Sequence, residues 1–217
     1  MKKFFTAIRN GNLDTVKALL AKDPMLITCT AKQPPKKDDG QSPLQVAIKC
    51  GNLEIANYLL DCGADVNFME SESCANEWRM PVLQDGIMAA VMCCRWNTAG
   101  PDGVMQVFST KEKADTAYLL LKRMLDMGAD IACRDSYGNS CLERAVLDAR
   151  QILPRYVHST KTVMPGRVLT EELRADLERI FALLLQAGAD FSAPSRINRL
   201  PMNQAYIEEP IGAFLTE

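Results

Sequence analysis

The chain has 217 residues, 47% of them hydrophobic and 24% charged, with 25 Lys+Arg against 27 Asp+Glu. That length suits one or two domains with a sizeable core, and the composition excludes a disordered, fibrous or strongly charged chain. A net charge of −2 supplies no global field to hold nucleic acid or an anionic membrane, so neither is expected as a partner.

Met1-Lys2-Lys3-Phe4-Phe5 imitates a signal peptide, but the apolar stretch breaks at Arg9-Asn10-Gly11-Asn12, too early for an h-region. No apolar run approaches the ~18 residues of a membrane helix, and the expectation is a cytoplasmic protein. Phe4 to Ile27 reads as two helices broken at Gly11-Asn12, with Val16, Leu19 and Leu20 on the apolar face and a stop at Pro24. A long loop, Thr28 to Gln41, follows and contains Pro34-Pro35-Lys36-Lys37. Asp39-Gly40 makes a tight turn. Ser42 caps a helix with Pro43 at its first position, and Leu44, Ala47 and Ile48 fall on one stripe. After the break at Gly51-Asn52, the run Leu53, Ile55, Ala56, Leu59, Leu60 gives a second helix that ends at Gly63-Ala64-Asp65.

The same punctuation recurs at Gly128-Ala129-Asp130 and Gly188-Ala189-Asp190, each closing an apolar helical run. A glycine just past the last turn suits the left-handed conformation that ends a helix. Between these marks, the loop from Phe68 to Arg79 carries Glu70, Glu72 and Glu77, and Met80-Pro81-Val82-Leu83 opens the next unit. Its first helix is expected to continue from Ala89 through Trp96, followed by a loop over Asn97 to Gly103. A second helix holding Leu120, Met124 and Leu125 comes next. The unit opening at Asp135 with Gly138 and Ser140 repeats the plan: helix from Ala145 to Leu153, loop from Pro154 to Val168. Its second helix restarts with Thr170-Glu171-Glu172 and carries Ile180, Leu183 and Leu184. Ser195 to Ala205 begins a last unit that stops near Glu208-Glu209-Pro210, with residues 211–217 as a short tail.

Residues 38–67 resemble the ankyrin repeat. That unit is a turn and two short antiparallel helices of nominally 33 residues, with the pattern Asp-x-x-Gly-x-Thr-Pro-Leu-His-x-Ala-Ala ending in Leu-Leu-x-x-Gly-Ala-Asp-Val-Asn. Gln45 stands where the pattern has histidine. The resemblance implies an all-α ankyrin-repeat solenoid with capping terminal repeats, forming one domain over residues 1–217. Its units lie at about 1–27, 37–69, 75–133, 135–193 and 195–217, the last a cap. From the turn to the closing glycine the second unit takes 20 residues, and the third and fourth take 47 each. Two insertions of 27 residues thus sit at equivalent places, and they are expected side by side at the helix ends remote from the turns.

The resemblance implies a non-catalytic protein-binding module, an adaptor or inhibitor, with its partner held on a concave surface of turns and first helices. The matching positions are Asp38, Asp39, Gln41 and Lys49 in the second unit, and Trp78 and Arg79 in the third. In the fourth they are Ser136, Tyr137, Asn139 and Leu147, and in the last Arg196, Ile197 and Arg199. Trp, Tyr and Arg dominate many interfaces, which singles out Trp78, Tyr137 and Arg199. The state expected is a monomer or weak homo-oligomer, the latter if the acidic loop 68–79 meets a neighbour's basic loop. An alternative is a small-molecule or phosphate sensor built on insertion residues 150–167, where Arg150, Arg155, Lys161 and Arg167 occur with no acid between them.

Enzyme readings find little support. No Gly-rich phosphate loop occurs, the single histidine, His158, lies in a loop, and Glu171-Glu172 is explained by the positive end of a helix. The eight cysteines include the adjacent Cys93-Cys94 but no Cys-x-x-Cys pair, so neither a metal site nor a disulfide framework is expected, and no cofactor is.

Overall fold

The computed structural model describes residues 1–100, 102–196 and 198–216. Ile197, expected on the binding surface, lies outside the described residues. Helical hairpins stand side by side: α1 (Lys2–Arg9) with α2 (Leu13–Lys22), α3 (Pro43–Lys49) with α4 (Leu53–Asp61), α5 (Val82–Met92) with α6 (Lys111–Asp126), and α7 (Cys141–Ile152) with α8 (Glu171–Gln186). First helices α1, α3, α5 and α7 touch in sequence as one row, and α2, α4, α6 and α8 make a second row behind it. A short α9 (Met202–Ala205) and a 3-10 helix (Pro210–Phe214) close the stack.

Local chemistry sets the helix ends. Ser42 and Ser140 each form a capping box, with Gln45 and Glu143 respectively. Asn12, Thr110 and Thr170 cap α2, α6 and α8 through their side-chain oxygens. Gly63 and Gly128 take φ of 84° and 89°, the left-handed region expected of a helix-ending glycine. The stripes merge into one elongated core that runs from Phe4 and Ile8 through Leu44, Ile87 and Leu121 to Leu177 and Leu184. Burying each such side chain contributes about 1.5–3 kcal/mol.

Both insertions differ from the expected loops. Helix α5 stops at Met92, short of Trp96. The Trp96 ring leaves the helix line and stacks on Phe108, with centroids 4.3 Å apart. That contact clamps β1 (Asn97–Ala99) against antiparallel β2 (Met105–Val107). In the second insertion β3 (Tyr156–Val157) pairs with β4 (Thr162–Val163). Segments of two or three residues are too short to carry an alternating pattern, which is why they read as loops. The two hairpins do adjoin. The Ala99 amide donates to the Gly166 carbonyl (2.6 Å), and the Asn97 side chain bonds both the Val168 amide and carbonyl. Arg95 holds Asp176 of α8 through two nitrogens at 2.9 Å.

The expected tail is a packed element. Ile211, Phe214 and Leu215 are buried, and the Phe214 ring stacks on Phe181 of α8 at 5.9 Å. The apolar face of the last hairpin needs a cover, and this segment supplies it.

Between the first helices α3 and α5 lies a buried polar cluster. Gln45 fills the histidine position of the pattern and does its bridging: its Nε2 donates to the Met80 carbonyl (2.8 Å) and to Asp85 (3.1 Å). Asp85 is fully buried, with Lys49 Nζ 3.7 Å from Oδ1. Burial pushes the Asp85 carboxyl up to about 7, Lys49 pulls it down, and Glu70 adds repulsion.

Two outcomes follow from this packing. Phe214→Ala will lower the unfolding free energy by about 3–5 kcal/mol, read as a fall in urea midpoint. The folded protein holds the Asp85 proton more tightly than the unfolded chain, whose ordinary value is 3.8. Stability therefore falls as pH rises from about 4 to about 7, by at most about 1.4 kcal/mol per pH unit. Asp85→Asn will flatten that slope, so its gain over the natural protein, measured by denaturant titration, will be larger at pH 8 than at pH 5.

Candidate functional site

The turns that precede the first helices form a hydrogen-bonded ledge. Asn76 Nδ2 donates to the carbonyls of Lys37 (3.3 Å) and Asp39 (3.1 Å), and Asp39 accepts from the Ala75 amide (2.8 Å). Further along, the Ser136 amide donates to the Arg79 carbonyl, and the Ser136 hydroxyl accepts from the Arg79 amide, both at 3.0 Å. Ser136 Oγ also donates to the Glu77 carbonyl. The side chain of Arg196 lies over Gly138 and extends the row into the cap.

Asp135 organises the fourth turn. Its carboxylate accepts from the amides of Tyr137 and Asn139, from the Asn139 side chain (2.8 Å) and from Trp78 Nε1 (3.0 Å). Burial raises its pKa, and the hydrogen bonds from Asn139, Trp78 and Tyr137 more than reverse this, so the net value lies below the usual carboxylate range. Trp78 is thereby fixed at its nitrogen while its ring stays 43% exposed, with the Arg144 guanidinium 5.5 Å from the ring. Tyr137 stands at the turn tip, 50% exposed.

An open groove of about 420 Å³ runs between these turns, lined by Lys36, Lys37, Lys49, Glu77, Trp78 and Tyr137, among others. Three lysines against one glutamate make this wall basic. Gln41, Lys49, Trp78 and Tyr137, all expected on the binding surface, come together here, joined by Lys36 and Lys37 from the loop. The signal for these two lysines was position, directly ahead of the first turn of the second repeat.

Other expected residues have different places. Asp38 (4% exposed) and Gln41 (1%) are buried. Asp38 pairs with Arg9 at 2.5 Å, and Gln41 Nε2 donates to Glu70 (3.3 Å). Both join neighbouring segments, and Gln41 also lines the floor of the groove. Asp39, Arg79, Ser136 and Asn139 are half-buried and build the ledge through the bonds above. Arg199 is exposed in the cap turn and makes no ion pair among the described residues.

Leu147 and the basic insertion line a separate cavity, also of about 420 Å³, with Arg150, Arg155, Tyr156, His158 and Glu209. The cap's acids already meet several of these side chains. Arg150 pairs with Glu209 (2.8 Å), His158 with Glu209 (3.2 Å), and Lys161 with Glu208 (3.2 Å). Arg167 bonds the Gln151 carbonyl and covers the Trp96 ring. Arg155 makes no side-chain hydrogen bond or ion pair among the described residues, so it is the one arginine or lysine of the expected basic set left unpaired beside this cavity. Two acids of the loop 68–79 are likewise engaged within the chain. Glu70 is buried and accepts from the Met80 amide, and Glu72 pairs with Arg79. Among the described residues no group of three or more His, Cys, Asp or Glu is placed to hold a metal ion, and no helix is long and apolar enough to cross a membrane.

Residues 4–70 match the family model for ankyrin repeats (3 copies). No curated protein matches the chain. Ankyrin repeats are generally protein–protein interaction modules, and proteins built from them are typically non-enzymatic scaffolds. The match covers the first repeats, less than half of the chain, and together with the mostly helical stack of turn-linked hairpins it supports an ankyrin-repeat protein folded as an all-α repeat solenoid.

Proposed function

We propose that this protein is a non-catalytic adaptor or inhibitor that holds an acidic, partly apolar segment of another protein on its turn ledge. The observation that carries the reading is the groove where exposed Trp78 and Tyr137 stand beside Lys36, Lys37 and Lys49. Aromatic rings give large contact area at low entropic cost, and lysines at the rim steer an acidic partner. The ledge is already hydrogen-bonded, so little ordering entropy is lost on binding. Arg79, Ser136 and Asn139 act as supports, while Arg196 and Arg199 extend the surface toward the cap. Cytoplasmic location belongs to the same reading, supported by eight cysteines that stand free of disulfides.

The test compares proteins retained by the immobilised chain and by its variants. Tyr137→Ala will weaken the specific partner about ten- to thirty-fold, the loss of a hot-spot side chain, with an unchanged melting temperature. Lys36→Glu with Lys37→Glu will weaken the same partner and reduce the salt dependence of binding. Arg155→Glu, at the other cavity, will leave retention unaltered. A partner that follows Arg155 and ignores Tyr137 would move the binding surface to the insertion.

A further inference from the structure

The turn that carries Tyr137 is closed at its base by two cysteines. Arg134 and Ser140 form an antiparallel bridge, and just outside it Cys133 Sγ and Cys141 Sγ lie 3.4 Å apart. Among the described residues no other pair of thiols is in such contact, and all eight cysteines are free. We propose that Cys133 and Cys141 are a modification site that forms a reversible disulfide by exchange with a small disulfide of the glutathione class. The site stands whether or not the turn binds a partner.

The geometry assigns the order of attack. Cys133 is half-buried and Cys141 is fully buried, so Cys133 meets the reagent. The hydrogen bond between the two sulfurs lowers the Cys133 pKa against the opposing effect of burial. The same bond, with burial, raises that of Cys141. The Cys133 thiolate attacks one sulfur of the small disulfide, whose S–S bond breaks and releases one glutathione thiolate. That thiolate takes up the Cys141 proton. The Cys141 sulfur then attacks Cys133 and expels the second glutathione, which is protonated in solvent by the proton Cys133 gave up. Two protein thiols are oxidised to one disulfide, and one glutathione disulfide is reduced to two thiols. The sulfurs must close from 3.4 Å to about 2.05 Å.

Oxidation would tie both ends of the segment 133–141, which contains Asp135, the acceptor that fixes Tyr137, Asn139 and Trp78. The position also tolerates replacement. Cys141 is the first residue of α7, and the first residue of the equivalent α3 is Pro43. Proline is favoured there, so Cys141→Pro removes the second thiol with the helix start kept.

The experiment equilibrates the full chain in buffers of graded oxidised-to-reduced glutathione ratio, quenches in acid, alkylates the remaining thiols and maps tryptic peptides. The expected product has one disulfide, joining the peptide that ends at Arg134 to the one that ends at Arg144, with the other cysteines alkylated. Its melting temperature exceeds that of the reduced chain by about 3–8 °C. In Cys141→Pro the rise is lost and Cys133 retains a glutathione adduct. Alkylation of both Cys133 and Cys141 at ratios that oxidise other cysteines overturns the proposal. So does a linkage from Cys133 to any cysteine other than Cys141. The peptide map of the natural chain decides the matter even if the variant fails to fold.

Discussion

Every feature of this protein depends on one constraint: a single helical hairpin has only half a core. The stripe on α3 and α4 faces Ile8 and Val16 on one side and Ile87 and Leu121 on the other, and none of these is dry without its neighbours. Stability therefore comes from repeat-to-repeat interfaces, and each end needs a closing element. At the N-terminus α1 and α2 do this. At the C-terminus the work falls to Met202 and Phe214, whose burial makes the final segment part of the fold. The constraint also explains why the insertions are tolerated. They enter between the two helices of a repeat, where they lengthen the connection and the flanking helices, α6 and α8 reaching 16 residues against 9 in α4.

The turn ledge is a by-product of that stacking, made rigid by buried polar groups. Asp38 with Arg9, Gln41 with Glu70, Gln45 with Asp85, and Asp135 with Trp78 each join segments distant in sequence. Such groups are costly to bury and gain much of the cost back only when their partners are in place. They fix where the turns sit relative to one another. Asp85 shows the expense most clearly, since its carboxyl sits at about 7 in spite of the lysine beside it. The result is a surface on which Trp78 and Tyr137 hold still while remaining exposed.

Charge in the sequence was a poor guide to charge on the surface. A run of basic residues with no acid among them looked like an anion site, yet Glu208 and Glu209 return from the cap to meet Arg150, His158 and Lys161. Two glutamates of the loop between the second and third repeats, Glu70 and Glu72, are met the same way, by Gln41, the Met80 amide and Arg79. Both cases share a cause. Ion pairs and hydrogen bonds between groups 7 to 59 residues apart fall outside any helical or strand period, and in the folded chain they engage charges that the linear sequence displays as free. Lys36 and Lys37 escaped this pairing and remain to make the groove basic.

The sequence by itself determined the repeat, the helix boundaries that depend on caps and glycines, the core stripes, and the adjacency of the two equal insertions. These rest on interactions spanning a few residues: Ser42 with Gln45, a glycine after a helical turn, apolar residues at i and i+4. Only the tertiary structure decided that the insertions are paired hairpins, that the last residues are a packed cap, that Asp38 and Gln41 are interior, and that Arg150 and Lys161 of the basic run meet the cap's glutamates. Each of those depends on partners from another repeat, as with Asn97 and Val168 or Phe181 and Phe214. A periodic pattern tells a residue which face it occupies, but the group that meets it there is set by how neighbouring repeats stack.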